Sequence, residues 1–238
     1  WLGEVGACRR HVASLLALYD EQRHSQHRFV YMGHDPAVCA YAIEGYAAWL
    51  VGNVADGYRA ANLACEHAEH ISHLPSLGHA VWLKSMLAVF ARDTETALIA
   101  ADEVLSIARE VKLATAEASA QSFRGWALVQ QGQADEGVRW LEAGLSAWRA
   151  QQALQFMPHR LSLYAEGLLA AGRSRDALAA ITEALQLVEE NHEAVLEPLV
   201  RLTLANVLFA GGRKDHVRAE EQLGLALTQA SGRGFPPL

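Results

Sequence analysis

Along the chain, apolar residues recur at helical spacing in segments of fifteen to twenty residues, separated by short polar turns. Reading for a glycine followed by a polar residue finds Gly52-Asn53, Gly132-Gln133, Gly172-Arg173 and Gly212-Arg213, with Arg92-Asp93 in the vacant place. These five turns step by forty residues. A glycine there suits the left-handed residue that ends a helix, and Asp56, Glu95, Asp135 and Asp176 suit the N-terminal dipole of the next one. Each repeat is therefore predicted to be helix, turn, helix.

Seven residues before each turn stands a small residue: Gly45, Ser85, Gly125, Ala165 and Ala205. Four before stands Ala48, Ala88, Leu128, Leu168 or Leu208. On the second helix Ala61, Ala101, Leu141 and Ile181, followed by Ala64, Val104, Gly144 and Ala184, make one stripe on which the hairpin closes. Pro36, Pro75, Pro158 and Pro198 fall near the starts of first helices, where a missing amide hydrogen costs nothing. The fifth hairpin stays in register with two extra residues in its turn, around Lys214 to Arg218.

The predicted fold is all-α: a right-handed solenoid of about five antiparallel hairpins over residues 35–231. Residues 1–34 are read as an N-terminal helix, Glu4 to Tyr19, ending a preceding repeat, with a linker; residues 232–238 are read as a tail. Neither end carries a polar capping helix, so excision from a longer protein is expected.

Composition sharpens this. Hydrophobic residues make up 51% of the 238. A net charge of −7, with three lysines beside seventeen arginines and no basic run, argues against a nucleic-acid partner. No apolar run approaches a membrane span, and a cytoplasmic location is expected. Cys8, Cys39 and Cys65 sit among apolar neighbours and are read as small buried hydrophobes without disulfides.

The spacing of a small residue, an apolar one three later and alanine or glycine nine beyond (Gly45, Ala48, Gly57; Gly125, Leu128, Gly137; Ala165, Leu168, Ala177), followed by Ala64, Gly144 or Ala184, resembles the tetratricopeptide pattern. The repeat is longer than that family's. The stretch Gly33 to Ala40, Arg124-Gly125-Trp126-Ala127-Leu128 with Gln131-Gly132, and Gly137 to Trp148 look like the C-terminal repeats of bacterial signalling proteins that join an adenylate or guanylate cyclase to a P-loop ATPase. The matching residues are mostly helix-packing ones, so the resemblance implies architecture and setting more than chemistry.

Tetratricopeptide geometry implies a concave face lined by first helices. On this chain it places there Cys39, Ala42, Tyr46 and Trp49; His79, Trp82, Met86 and Val89; Ser119, Ser122 and Trp126; and His159, Ser162, Glu166, Leu202, Asn206 and Phe209. Aromatic rings among hydroxyls and an amide can grip a peptide or apolar ligand; equally, they can pack neighbouring repeats together. Arg124 and Arg160 flank this surface, to pair with a ligand carboxylate or to cap helix ends.

No phosphate loop, serine elbow, H-E-x-x-H or C-x-x-C occurs, and no catalytic residue, cofactor or metal is expected. The run Glu66, His67, Glu69, His70 and His73 offers metal-ligand residue types, but steps of three fan its rings over about 120°. It reads instead as a polar helix end favouring the C-terminal dipole. The expected role is a non-catalytic interaction and regulatory module. It would bind a protein or peptide, a small ligand, or another domain of its parent chain, and a homodimer is possible. The alternatives are a structural scaffold or dimerisation element, and an α-helical enzyme in which acids such as Glu44 and Glu166 converge.

Overall fold

The computed structural model describes residues 4–30, 33–153 and 155–235. Among them the regular structure is all helical. Helix α1 spans Val5–Leu18, and two single-turn helices, α2 (Glu21–His24) and α3 (His27–Val30), occupy the stretch read as linker. The hairpins follow: α4 (Pro36–Leu50) with α5 (Val54–His70), α6 (Leu74–Phe90) with α7 (Thr94–Glu110), and α8 (Ala114–Gln130) with α9 (Ala134–Ala150). Then come α10 (Met157–Ala170) with α11 (Ser174–Glu190), and α12 (Glu197–Ala210) with α13 (His216–Gly232). The chain divides into two units, Glu4–Phe123 and one running from Arg124, and the division falls within α8.

Local chemistry accounts for the boundaries. Pro36, Pro75, Pro158 and Pro198 lie in the first turns of α4, α6, α10 and α12. Side chains cap second helices: Asn53 accepts from the Asp56 amide and Asp93 from the Thr96 amide. Gly52, Gly132 and Gly172 take the predicted left-handed conformation, with φ of 85°, 81° and 75°. Gly212 departs from it, at φ 104° and ψ 175°, and opens into a 3₁₀ turn, Arg213–Asp215, which absorbs the longer connection.

The turns between hairpins hold left-handed residues that sequence reasoning missed: Ser72, Lys112, Gln152 and His192, with φ between 48° and 58°. A left-handed residue thus recurs every twenty positions, alternately within and between hairpins. Without glycine at the second set, the composition carried no signal.

Packing follows the small residues. A Cβ added to Gly45 would lie 2.9 Å from the Gly57 carbonyl oxygen, and one added to Gly125 would lie 2.7 Å from that of Gly137. Ala165 and Ala177 are fully buried at the same two positions of α10 and α11. In the Glu4–Phe123 unit α4 packs on α5, α6 on α7, α1 on α4, and α4 directly on α6. In the other unit α10 packs likewise on α11 and α12. Within each unit, first helices of successive hairpins therefore share a layer, and their faces decide what that layer presents.

Candidate functional site

Within the Glu4–Phe123 unit, the first-helix layer carries an aromatic stack. Trp49 lies 5.8 Å from Tyr46 with planes 17° apart, and 4.7 Å from Phe90 with planes 25° apart. Tyr46 is only 7% exposed, whereas Trp49 is partly exposed, so two inner rings hold an outer one flat. Trp82 is also partly exposed and packs against His79 at 5.6 Å. In repeat register Trp82 matches Ala42, seven residues before Trp49. The two indoles therefore stand on neighbouring helices, offset in register by two helical turns, about 10 Å along the axis.

The other residues expected on this face are distributed differently. Met86 is 1% exposed, and Ser122 is buried with its hydroxyl donating to the Ala118 carbonyl at 3.2 Å. In the unit from Arg124, Trp126 is wholly buried, its Nε1 donating to Glu166 Oε2 at 3.2 Å, and His159 is buried too. Glu166 is partly exposed, while Asn206 and Phe209 are exposed, Phe209 lying edge-on to His216 at 5.4 Å. Trp126 holds the repeat position of Tyr46 and Met86, both also buried, whereas Trp49 stands three residues further on, at a position where Val89 is buried and Phe209 exposed.

Arg160 does not flank a surface. Its guanidinium is buried 3.5 Å over the Trp148 ring, Nη1 donates to the Phe156 carbonyl at 3.2 Å, and burial pulls its pKa down to about 9. Glu193, also buried, accepts from the Phe156 amide at 2.8 Å and holds that residue left-handed at φ 60°. Burial raises the Glu193 carboxyl, against that amide and the Arg160 charge. Arg124 lies 4.9 Å over Trp140.

The histidine run separates onto different partners. His67 Nε2 meets the Tyr19 hydroxyl at 3.3 Å and the fully buried Asp35 at 3.4 Å, and Tyr19 donates to Asp35 at 2.9 Å. Burial, then Asp35, holds the Tyr19 phenol well above its ordinary value. His70 faces Glu21 at 3.4 Å, and His73 Nδ1 meets Ser76 Oγ at 2.8 Å. The short helices α2 and α3 supply two of the partners, Glu21 to His70 and the Phe29 ring beside His73. Burial, then the Arg28 charge, lowers the His73 pKa.

The two acids considered for catalysis have separate engagements, Glu44 with Arg9 at 2.6 Å and Glu166 with Trp126. Cys8, Cys39 and Cys65 are free thiols, each partly exposed rather than fully interior as expected. Among the described residues no helix is long and apolar enough to cross a membrane.

No family model matches the chain. An uncharacterized protein of Rhizobium meliloti (strain 1021) is 27% identical over 218 residues, which cover 91% of this chain and 21% of that protein. The chain thus spans about a fifth of that relative's length. The crystal structure of BtubC (BKLC) from P. vanneervenii is similar with a TM-score of 0.60 at 15% identity, covering 99% of this chain and 93% of that one. At that identity the likeness concerns the fold alone.

Proposed function

We propose that this chain is a non-catalytic, tetratricopeptide-like interaction module of a larger cytoplasmic signalling protein. Its first-helix layer grips an apolar or aromatic protein segment at Trp49 and Trp82. The observation that carries the reading is the outer indole of Trp49, partly exposed and held flat on Tyr46 and Phe90. A ring ordered before binding loses little rotamer entropy on contact, and aromatic anchors of this kind dominate interface energies. The relative in which a comparable stretch is about a fifth of the whole offers a setting where the segment belongs to the same parent chain.

Displayed peptide libraries selected on the purified chain test this, with affinities then measured by titration calorimetry. Trp49→Ala and Trp82→Ala are each expected to weaken selected apolar peptides by about 2 kcal/mol, some thirtyfold, while the helical signal is retained. Selection of no peptide, or unchanged affinity in both variants, would refute the reading. A structural scaffold would then stand as the better account, and the interior positions of Trp126, Met86, Ser122 and His159 already favour that second reading for those residues.

A further inference from the structure

At the junction of the first two hairpins in the Glu4–Phe123 unit, three donors of different origin face one another. His34 lies in the connection just before α4, Cys39 in the first turn of α4, and His79 in α6. One donor atom from each, an imidazole nitrogen or the sulfur, lies within 4.8 Å of both others. The two rings stack with centroids 3.8 Å apart and planes 12° from parallel. Although part of the His79 residue is exposed, its Nε2 is shielded from solvent and has no hydrogen-bond partner among the described residues. A buried polar atom left so is unfavourable, and ligation of a cation would relieve it.

The fold explains the juxtaposition. Cys39 and His79 are forty residues apart, so they hold one position in successive repeats, and α4 packs directly on α6. Equivalent positions of adjacent first helices become neighbours. His34 is brought in by Asp35, which caps α4 through the Ala37 amide at 2.9 Å. The Asp35 amide in turn donates to Ser76 Oγ of α6 at 2.8 Å, pinning the connection three residues from His79.

We propose that His34, Cys39 and His79 bind one zinc-type divalent cation through two imidazole nitrogens and a thiolate, tying α4 to α6. Two nitrogens and one sulfur suit a borderline-soft ion, whereas magnesium and calcium take oxygen ligands. With metal–ligand bonds of about 2.0–2.3 Å, tetrahedral donors stand about 3.5 Å apart. The three side chains therefore draw in by about 1 Å, and the imidazoles turn out of their stack so that both lone pairs converge. On ligation the Cys39 S–H proton leaves to solvent and a metal–sulfur bond replaces it. Three protein ligands leave a fourth position for water or for a group brought by a partner. His67, His70 and His73 stay with their own partners and take no part.

The test uses the purified full chain, stripped by a chelator and titrated with Co²⁺ as a coloured stand-in for zinc. One Co²⁺ per chain is expected, with intense tetrahedral visible bands and a near-ultraviolet thiolate-to-cobalt band, both bleached by one equivalent of Zn²⁺. Cys39→Ser is expected to abolish the thiolate band, and His34→Gln and His79→Gln each to weaken binding at least tenfold. A Cys8→Ser/Cys65→Ser double variant and a His67→Gln/His70→Gln double variant are expected to keep both signals. Absence of the thiolate band in the unaltered chain overturns the proposal without any variant being needed. Its persistence in Cys39→Ser, or its loss in Cys8→Ser/Cys65→Ser with helicity intact, places the metal elsewhere and overturns it too.

Discussion

At the scale of single residues, burial of titratable groups sets how stability responds to acid. His79 is pulled down to about 3 by burial, with the facing His34 contributing second, and His73 is lowered as well. Both imidazoles stay neutral in the folded state at pH values where the unfolded chain takes up protons. The His79 contribution is therefore complete above pH 6.5 and is lost as pH falls from 6.5 towards 3, and the His73 contribution is likewise lost as pH falls below 6.5. For His79 alone the loss by pH 5 amounts to about 2 kcal/mol. Urea denaturation of metal-free protein between pH 7.5 and 5 should show a falling midpoint in the unaltered chain and a flatter dependence in His79→Gln; equal slopes would contradict the assignment. Asp35 concentrates several roles in one carboxylate, capping α4, accepting from Tyr19 and facing His67. Asp35→Ala is expected to cost about 2–4 kcal/mol in the same measurement.

At the scale of elements, close helix approach and left-handed turns dominate. A Cβ at Gly137 would lie 2.5 Å from Val129 Cγ2 and 2.6 Å from the Gly125 carbonyl oxygen, so Gly137→Ala should separate α8 from α9 and cost about 1–3 kcal/mol. Gly224, in α13, has nothing within 4 Å of an added Cβ, and Gly224→Ala should instead stabilise by about 0.5–1 kcal/mol through helix propensity. Opposite shifts in thermal midpoint for the two variants would separate packing from propensity. Lys112 ends α7 at φ 58° with its side chain exposed. Lys112→Gly removes steric strain but adds unfolded-state freedom, and a net gain of about 0.5 kcal/mol is expected.

At the scale of the whole molecule, the two units differ in chemistry. Seven of the eleven histidines lie between His24 and His79, within the Glu4–Phe123 unit, and His73 and His79, whose pKa values are lowered, are among them. The unit from Arg124 instead buries a guanidinium on Trp148 beside Glu193. Hydrogen exchange read by mass spectrometry at pH 7 and pH 5, corrected for the intrinsic rate, should therefore show protection falling first in α4 and α6. Uniform loss across both units would show that acid acts on something other than these imidazoles.

The hairpins, their forty-residue register, the proline starts and the positions of the small residues were legible in the sequence, because helix periodicity, capping and turn chemistry act between residues close along the chain. The sequence also determined that Cys39 and His79 hold equivalent positions, though not that they meet. Tertiary packing decided what local patterns do not encode. It left Trp49 partly exposed although Val89, at the same repeat position, is buried, since what covers a position depends on the neighbouring helix and not on its own spacing. It drew Arg160 inside and divided the histidine run among α2, α3 and α4. It made Ser72, Lys112, Gln152 and His192 left-handed without glycine, because the helices they join are held by contacts elsewhere. And it assembled His34, Cys39 and His79 from a loop and two helices, because donors far apart in sequence meet only after the hairpins have stacked.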